Sequence, residues 1–469
     1  MIIGESLPFI RDYVKTLNDI IKRNNPGFEL TRLQVAWLNF IILGILVTNS
    51  INWAKISRFS LGNYQDKAIS WMFRRAKILW GSLLLASTKA VLARYKIKDV
   101  HLELDDSDHQ RAKTTTKIAK AHKIYDKKSG GYYNGQSVVF LLLVSKEITL
   151  PVGFEFYEPN PKMVAYSKEE ERLRKAGVKK QFRPVMPEKD PCYPTKAELG
   201  IKLIDKFCGN FPEIKVKSVC ADNLYATKEF VAATHDLTKA QVITQIKGNQ
   251  IIIVNNQEVV VSEFFKQYHG KTKVVTLRGK ERQITYVSAK FKVKAHNQKY
   301  FIIALKYDQE ADYRYIIAAD MTWQDIDIIQ TYALRWLVEV FFQDWKSYEG
   351  WHQLAKQPGI EGSVNGLTLS LLCDHALLLH PEQINLFKNH NPAATVGSLR
   401  EQVMMESLVS FIEQIVNSKA PRETFEQFVD AVSEAFGLNS SVKHMRHLKE
   451  ELDELAQNDE NYESILDEA

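Results

Sequence analysis

The stretch Tyr332-Ala-Leu-Arg335-Trp-Leu-Val-Glu339-Val-Phe-Phe-Gln-Asp-Trp-Lys346 reads as a helix with two unlike faces. At about 100° per residue, Tyr332, Arg335, Glu339 and Lys346 fall within an arc of roughly 60°. Leu334, Leu337, Val338, Phe341 and Trp345 lie opposite. One side can pack on a core while the other presents a ring, a guanidinium, a carboxylate and an ammonium. A carboxylate between cations suits a metal ion and a phosphodiester: the acid holds the metal and the cations hold the polyanion. Arg335 and Glu339 are also four apart, the spacing of an ordinary helix ion pair worth a few tenths of a kcal/mol. The rest of the chain bears on which reading applies.

The chain has 469 residues, too many for one small core, and should divide into roughly two to four domains. Hydrophobic content of 45% and charged content of 25% are those of an ordinary globular protein. Net charge is +6, and the C-terminal run from Glu450 to Glu468 is acidic, so the remainder is more basic than the total. That balance favours a polyanionic partner. Cys192, Cys208, Cys220 and Cys373 are scattered, without a C-x-x-C pair or zinc spacing, which fits a reducing compartment. No basic segment followed at once by an apolar one opens the chain, so no secretory signal is expected. The longest apolar run, Val35 to Val47, is broken by Asn39 and too short for a bilayer; it reads as a buried helix, and no membrane association is expected.

Residues 1–95 show helical periodicity. Within them, a short helix from Asn52 to Phe59, a turn at Ser60-Leu-Gly62-Asn63 and a basic helix from Gln65 to Lys77 make a helix-turn-helix candidate for DNA binding. From residue 98 the pattern becomes strand-like. Val100 to Asp106 alternates, and Gln136–Val144 with Ile148–Phe156 reads as a hairpin. Its nearly continuous apolar first arm suggests a strand buried on both faces. Residues 158–192 carry many charges and prolines and read as a mobile surface excursion. A helix over Thr195–Phe207, a strand over Ile214–Cys220, a helix near Thr227–Thr234 and a strand over Gln241–Ile246 follow. Residues 247–320 are strand-rich. The Tyr332 helix comes within 321–355, and residues 356–469 return to helical periodicity, ending in the acidic tail, expected to be frayed or disordered.

Asp106 and Asp222 each end an expected strand in the α/β part, where strand carboxyl ends commonly carry ligands. Isolated strand-end aspartates are usually turn or cap residues; the joint occurrence with Glu339 is what matters. Three acids from separate elements suit hard divalent cations, which take oxygen ligands, and two such ions roughly 4 Å apart can activate a nucleophile and stabilise a leaving oxygen. Asp105 and Asp106 are adjacent. If Leu102 and Leu104 face the core, Asp106 shares their face, so Asp106 is preferred, with Asp105 or Asp108 as substitutes.

The spacing Tyr332-x2-Arg335-x3-Glu339-x6-Lys346 resembles the Tyr-Arg-Glu-Lys signature of bacterial DDE transposases of the insertion-sequence-four family. The Asp106-Ser107 strand end and Val219-Cys-Ala-Asp222-Asn-Leu-Tyr225 resemble that family's first and second aspartate motifs. The likeness spans roughly residues 100–352 well and the N-terminus loosely, and the acid-rich Asp105-Asp106-Ser107-Asp108 departs from the family pattern. The resemblance implies an α/β ribonuclease-H-like catalytic core with a β-rich insertion, flanked by all-α N-terminal and C-terminal regions. The divisions are 1–95 (DNA binding), 98–246 (first part of the core), 247–320 (insertion), 321–355 (final catalytic helix) and 356–469 (helical, with the acidic tail).

It implies that Asp106, Asp222 and Glu339 hold two magnesium ions, with manganese able to substitute. Water would nick each transposon end, and the freed 3′-hydroxyl would attack the opposite strand or target DNA. Arg335 and Lys346 would clamp phosphates beside the scissile bond, and Tyr332 would contact the phosphate or the strand end. Arg111, Lys113 and Lys247 would line the groove of double-stranded DNA, positioning it without reading sequence. A homodimer on paired inverted repeats and a cytoplasmic, nucleoid-associated place are further implications. Two rivals remain: a metal-dependent nuclease without strand transfer, and a domesticated DNA-binding protein that has lost its chemistry.

Overall fold

The computed structural model describes residues 5–112, 115, 117–277, 279–308, 310–351 and 358–437. Lys113 and the acidic tail lie outside the described residues. Five helices come first: α1 (Pro8–Asn24), α2 (Arg32–Thr48), α3 (Trp53–Phe59), α4 (Asp66–Arg75) and α5 (Trp80–Tyr95). A capping box of Thr31 and Gln34 starts α2, whose residues Phe40 to Thr48 are all buried, so the apolar run is a core helix. Among the described residues no single helix is long and apolar enough to cross a membrane, although three bent helix pairs reach that length and apolarity together. The turn at Ser60–Asn63 joins α3 to α4, which packs through Ile69 and Phe73 and leaves Lys67, Arg74 and Arg75 exposed.

The α/β part follows as β1 (Asp99–Gln110), β2 (His122–Asp126), β3 (Gly131–Val144), β4 (Thr149–Tyr157), α6 (Pro161–Lys175), α7 (Lys196–Asn210), β5 (Lys215–Ala221), α8 (Lys228–Thr238) and β6 (Gln241–Ile246). The excursion at 158–192, expected to be mobile surface chain, holds a helix. Asn160 caps it, Pro161 occupies its first turn, and Glu169–Arg172 and Glu171–Lys175 pairs lace it. Then come β7 (Ile251–Val254), β8 (Gln257–Val260), α9 (Val261–Lys266), β9 (Lys271–Leu277), β10 (Lys280–Val293), β11 (Gln298–Tyr307) and β12 (Arg314–Ala318). The remaining helices are α10 (Asp325–Ala333), α11 (Trp336–Tyr348), α12 (Gly359–Leu378), α13 (Pro381–Lys388), α14 (Val396–Val416) and α15 (Pro421–Ala435).

Twelve strands form one mixed sheet among the described residues. One end runs β4-β3-β1-β5-β6: β3 is antiparallel to β1 and β4, whereas β5 is parallel to β1 and β6 parallel to β5. The edge of β6 then takes β12 antiparallel, and β11, β10, β7 and β8 extend the sheet. Both faces of β3 are covered, so Val138 to Val144 are all buried, as the continuous apolar run suggested. On one face Leu102 and Leu104 pack with Leu199, Leu203 and Phe207 of α7 and Phe230 of α8. Gly200 permits that approach, since a Cβ there would meet Leu104 Cδ2 at 2.3 Å. On the other face Val138, Phe140 and Leu142 pack with Val338, Phe341 and Trp345 of α11.

The helical ends share a third core. Leu369, Leu372, Cys373 and Ala376 of α12 and Leu399 and Val403 of α14 pack among Ile10, Leu17, Leu38 and Ile42 of α1 and α2. Asn49, in a left-handed conformation after α2, ties this core to α11. Its amide donates to Ser347 O at 2.6 Å and its Oδ1 accepts from Gly350 N at 3.0 Å.

Candidate active site

Parallel pairing of β1 with β5 ends at Leu104 opposite Ala221. The next residues, Asp105 and Asp222, therefore stand side by side at the carboxyl ends of two adjacent parallel strands. Here β1 does not end as expected; it runs on to Gln110 against β3 alone. Alternation along β1 sends Glu103 and Asp105 to the face of α10 and α11, and Asp106 to the face of α7.

Asp105 is buried and accepts a hydrogen bond from Arg335 Nη1 at 2.5 Å. The Arg335 Nη2 atom lies 3.9 Å from Glu339 Oε1, so this guanidinium stands between two carboxylates. Glu339 itself is exposed on the first turn of α11. Asp222 is half-buried and its Oδ1 accepts from Leu224 N at 2.7 Å, which fixes the turn after β5. Burial pushes the Asp105 carboxyl up to about 7 despite Arg335, with Asp222 and Asp106 adding to the rise. Glu103, fully buried two residues earlier, is also pushed up by burial, against the opposing pull of Arg335.

Asp106 faces the other way. Lys196 Nζ, at the start of α7, bonds its Oδ2 at 2.5 Å and sits 5.3 Å from the centre of the Tyr157 ring. Burial raises its pKa and Lys196 lowers it. Lys196 was not anticipated; the Thr195-x-x-Glu198 capping box, which fixes Lys196 at the first helical position, is the sequence signal that could have found it.

The signature segment is not one continuous helix. Leu334 N bonds Thr331 O, Arg335 N bonds Tyr332 O and Leu337 N bonds Leu334 O, three-residue steps that tighten the chain between α10 and α11. Tyr332 thus belongs to α10; burial pushes its hydroxyl pKa up, with Arg335 close enough to lower it and Asp222 and Glu103 close enough to raise it. It is buried against Ile328, Ile329 and Cys220, and its hydroxyl donates to Gln245 Oε1 at 3.2 Å. Arg111 is also buried: its guanidinium lies 5.0 Å from the centre of the Trp351 ring and its Nε donates to Gln136 Oε1 at 2.9 Å. Burial lowers its pKa to about 10. Lys346 reaches back to β1 and donates to Asp108 O at 3.1 Å. Lys247 is exposed just beyond β6. Trp345 anchors α11: its ring packs against Phe140 at 4.8 Å and its Nε1 donates to Ser370 Oγ at 3.0 Å.

Among the described residues, no three His, Cys, Asp or Glu side chains converge closely enough to hold a metal ion as they stand. The donor chemistry is nevertheless that of a hard cation: Asp105, Asp222 and Glu339 offer oxygen alone. A guanidinium already occupies the charge-balancing position between two of them.

No protein-family model matches the chain, and no curated protein matches it. Among solved structures, the NurA nuclease from Sulfolobus solfataricus is similar at 6% sequence identity and a TM-score of 0.22, covering 50% of this chain and 72% of that chain. A likeness that slight establishes no shared fold or activity.

Proposed function

We propose that this chain is a DDE-type DNA transposase that cuts at the ends of an insertion sequence and joins them to target DNA, with Asp105, Asp222 and Glu339 as its acids. The observation that carries the reading is the Asp105–Arg335 bond, which joins the carboxyl end of the first strand to the Tyr-Arg-Glu-Lys segment. The order β4-β3-β1-β5-β6, with its antiparallel and parallel halves, supports a ribonuclease-H-like core. Asp105 takes the place first given to Asp106 because it shares a face with Arg335.

Asp105, Asp222 and Glu339 would hold magnesium, with manganese as a substitute. When bound, the metal supplies an acidified water and neutralises charge on the leaving oxygen. The protein's own part is positioning and charge. Arg335, on leaving Asp105, presents a guanidinium fork suited to a DNA phosphate. Lys346, half-buried against β1, fixes α11 on the strand that carries Asp105. The exposed cations of α4 suit the backbone of double-stranded DNA.

The test is incubation of the full chain with duplexes carrying the inverted repeats that flank its gene, a target plasmid and magnesium. Cleaved ends joined to the plasmid support transposition. Cleavage without joined product would make the chain a nuclease, and binding without cleavage would make it a DNA-binding protein alone.

A further inference from the structure

Two acids meet behind α11, out of reach of water. Glu349 closes that helix and is fully buried, and Asp374 of α12 is buried against it. Their carboxyl groups contact each other, and none of Glu349 Oε1, Glu349 Oε2 and Asp374 Oδ2 has a hydrogen-bond donor among the described residues. The titratable groups around them are Asp344 of α11, Cys373 of α12 and Tyr13 of α1, each of which can ionise only to an anion. Cations on neighbouring helices are engaged elsewhere: Arg400 Nη2 of α14 donates to Val47 O at 3.2 Å, and Lys55 Nζ of α3 donates to Thr48 O at 2.8 Å.

The backbone around Glu349 is pinned from two sides, which keeps its carboxyl where it is. Ser370 Oγ donates to Glu349 O at 2.8 Å and accepts from Trp345 Nε1 at 3.0 Å. Gly350 N donates to Asn49 Oδ1 at 3.0 Å. Ser370 stands one helical turn before Asp374, so a single stretch of α12 receives the Trp345 ring, the Glu349 backbone and the Glu349 side chain.

A carboxylate oxygen only accepts hydrogen bonds. Two ionised carboxylates in contact, without a donor, would bury two like charges. One retained proton turns the same contact into an O–H···O⁻ bond, the strong charge-assisted kind. Burial pushes both groups up; Asp374 and Asp344 raise Glu349 further, and Asp374 reaches about 7 although its bond to Glu349 opposes the rise. The two titrate as a unit. The unfolded chain releases these protons near about pH 4, so the bond is fully present at acid pH and is lost as pH rises through the folded values.

We propose that Glu349 and Asp374 share one proton and that this bond is a pH-dependent clamp, positioning α11, and with it Glu339, against α12. The clamp itself stands on buried geometry; its bearing on Glu339 rests on the function proposed above.

The test uses the full chain without metal. Amide hydrogen exchange over the second half of α11, corrected for intrinsic rates, should lose protection about ten-fold per pH unit on the alkaline side, the linkage of one proton. Glu349→Gln supplies a permanent amide donor to Asp374 and should make that protection independent of pH, as should Asp374→Asn with the roles exchanged. The acids of β1 are common to all three proteins and cancel in the comparison. At neutral pH the infrared difference between wild type and Glu349→Gln should show the carbonyl stretch of a protonated carboxyl in the wild type. Exchange that is flat with pH in the wild type, an unchanged slope in both variants, or no acid band in the difference overturns the clamp. In DNA cleavage, the ratio of Glu349→Gln to wild-type activity should climb on the alkaline side; a constant ratio beside the expected exchange slope overturns the positioning of Glu339. A wild-type protein that cleaves no DNA at any pH overturns the proposed function, and the exchange and infrared results still decide the clamp.

Discussion

Asp105 and Asp106, neighbours in the chain, are held by cations on opposite faces of the sheet: Asp105 by Arg335 of the α10–α11 junction, Asp106 by Lys196 of α7, each at 2.5 Å. One faces Asp222 and Glu339, the other Lys196 and the Tyr157 ring beside it. Under the proposed function the chemistry belongs to Asp105.

Stability should depend on pH through Asp105. Its carboxyl titrates near 3.8 when unperturbed and at about 7 in the fold. Between these values the folded state holds more protons than the unfolded chain. Stability from this group is therefore full below about pH 4 and falls as pH rises to about 7, by on the order of 4 kcal/mol. Asp105→Asn should flatten that part of the profile in urea unfolding without metal, leaving the share of Glu103. A profile unchanged by the substitution would show that Asp105 titrates normally.

Magnesium affinity should follow the same group in the opposite sense. A metal needs the deprotonated carboxylate, so binding should tighten as pH rises toward about 7 and release protons. Calorimetry in buffers of different ionisation heat measures that release; none detected in the wild-type protein would count against Asp105 as a ligand.

Removing Arg335 should destabilise the metal-free protein. Arg335→Ala leaves the buried Asp105 without its strongest partner, a loss of about 1–3 kcal/mol. Denaturant unfolding measures it, and saturating magnesium should recover part of the loss if a divalent ion replaces the guanidinium. Equal stability with and without Arg335 would mean that the bond is not made in solution.

Seating of α11 should depend on its aromatic anchor and on the turn behind it. Trp345→Ala removes a fully buried indole packed against Phe140 and Trp351 and should cost about 3–5 kcal/mol. Gly350→Ala should cost more than about 1 kcal/mol, because φ is +75° and a Cβ would meet Ile45 Cγ2 at 2.9 Å. Thermal unfolding checks both, and a neutral Gly350→Ala would contradict the close packing of α2 on this turn.

DNA affinity should fall steeply with salt. Arg74→Ala and Arg75→Ala should each lower the slope of log affinity against log salt by about 0.9 if α4 lies on the backbone. Slopes equal to wild type would move the DNA surface away from α4.

Much of the frame was readable from residue pattern. The buried run Val138–Val144 and the strand ending at Ala221 before Asp222 follow from apolar periodicity alone. Alternation also put Asp106 on the face of Leu102 and Leu104, where it lies. What alternation could not supply is which of Asp105 and Asp106 stands beside Asp222 and Arg335, because β1 is covered on both sides and each face looks like core. The break at Leu334–Arg335 has no glycine or proline to announce it; it arises from how α10 and α11 dock on different parts of one sheet. The burial of Tyr332 and Arg111 likewise comes from tertiary neighbours, Gln245 and Trp351, distant in the chain.

The most direct test compares magnesium-dependent cleavage of inverted-repeat DNA by Asp105→Asn, Asp106→Asn, Asp222→Asn and Glu339→Gln proteins at matched folded concentration. The first, third and fourth should be inactive, while Asp106→Asn should stay within the roughly 10–100-fold loss of an outer partner. Full cleavage by Asp105→Asn or Glu339→Gln, or an inactive Asp106→Asn beside an active Asp105→Asn, would contradict the proposed assignment.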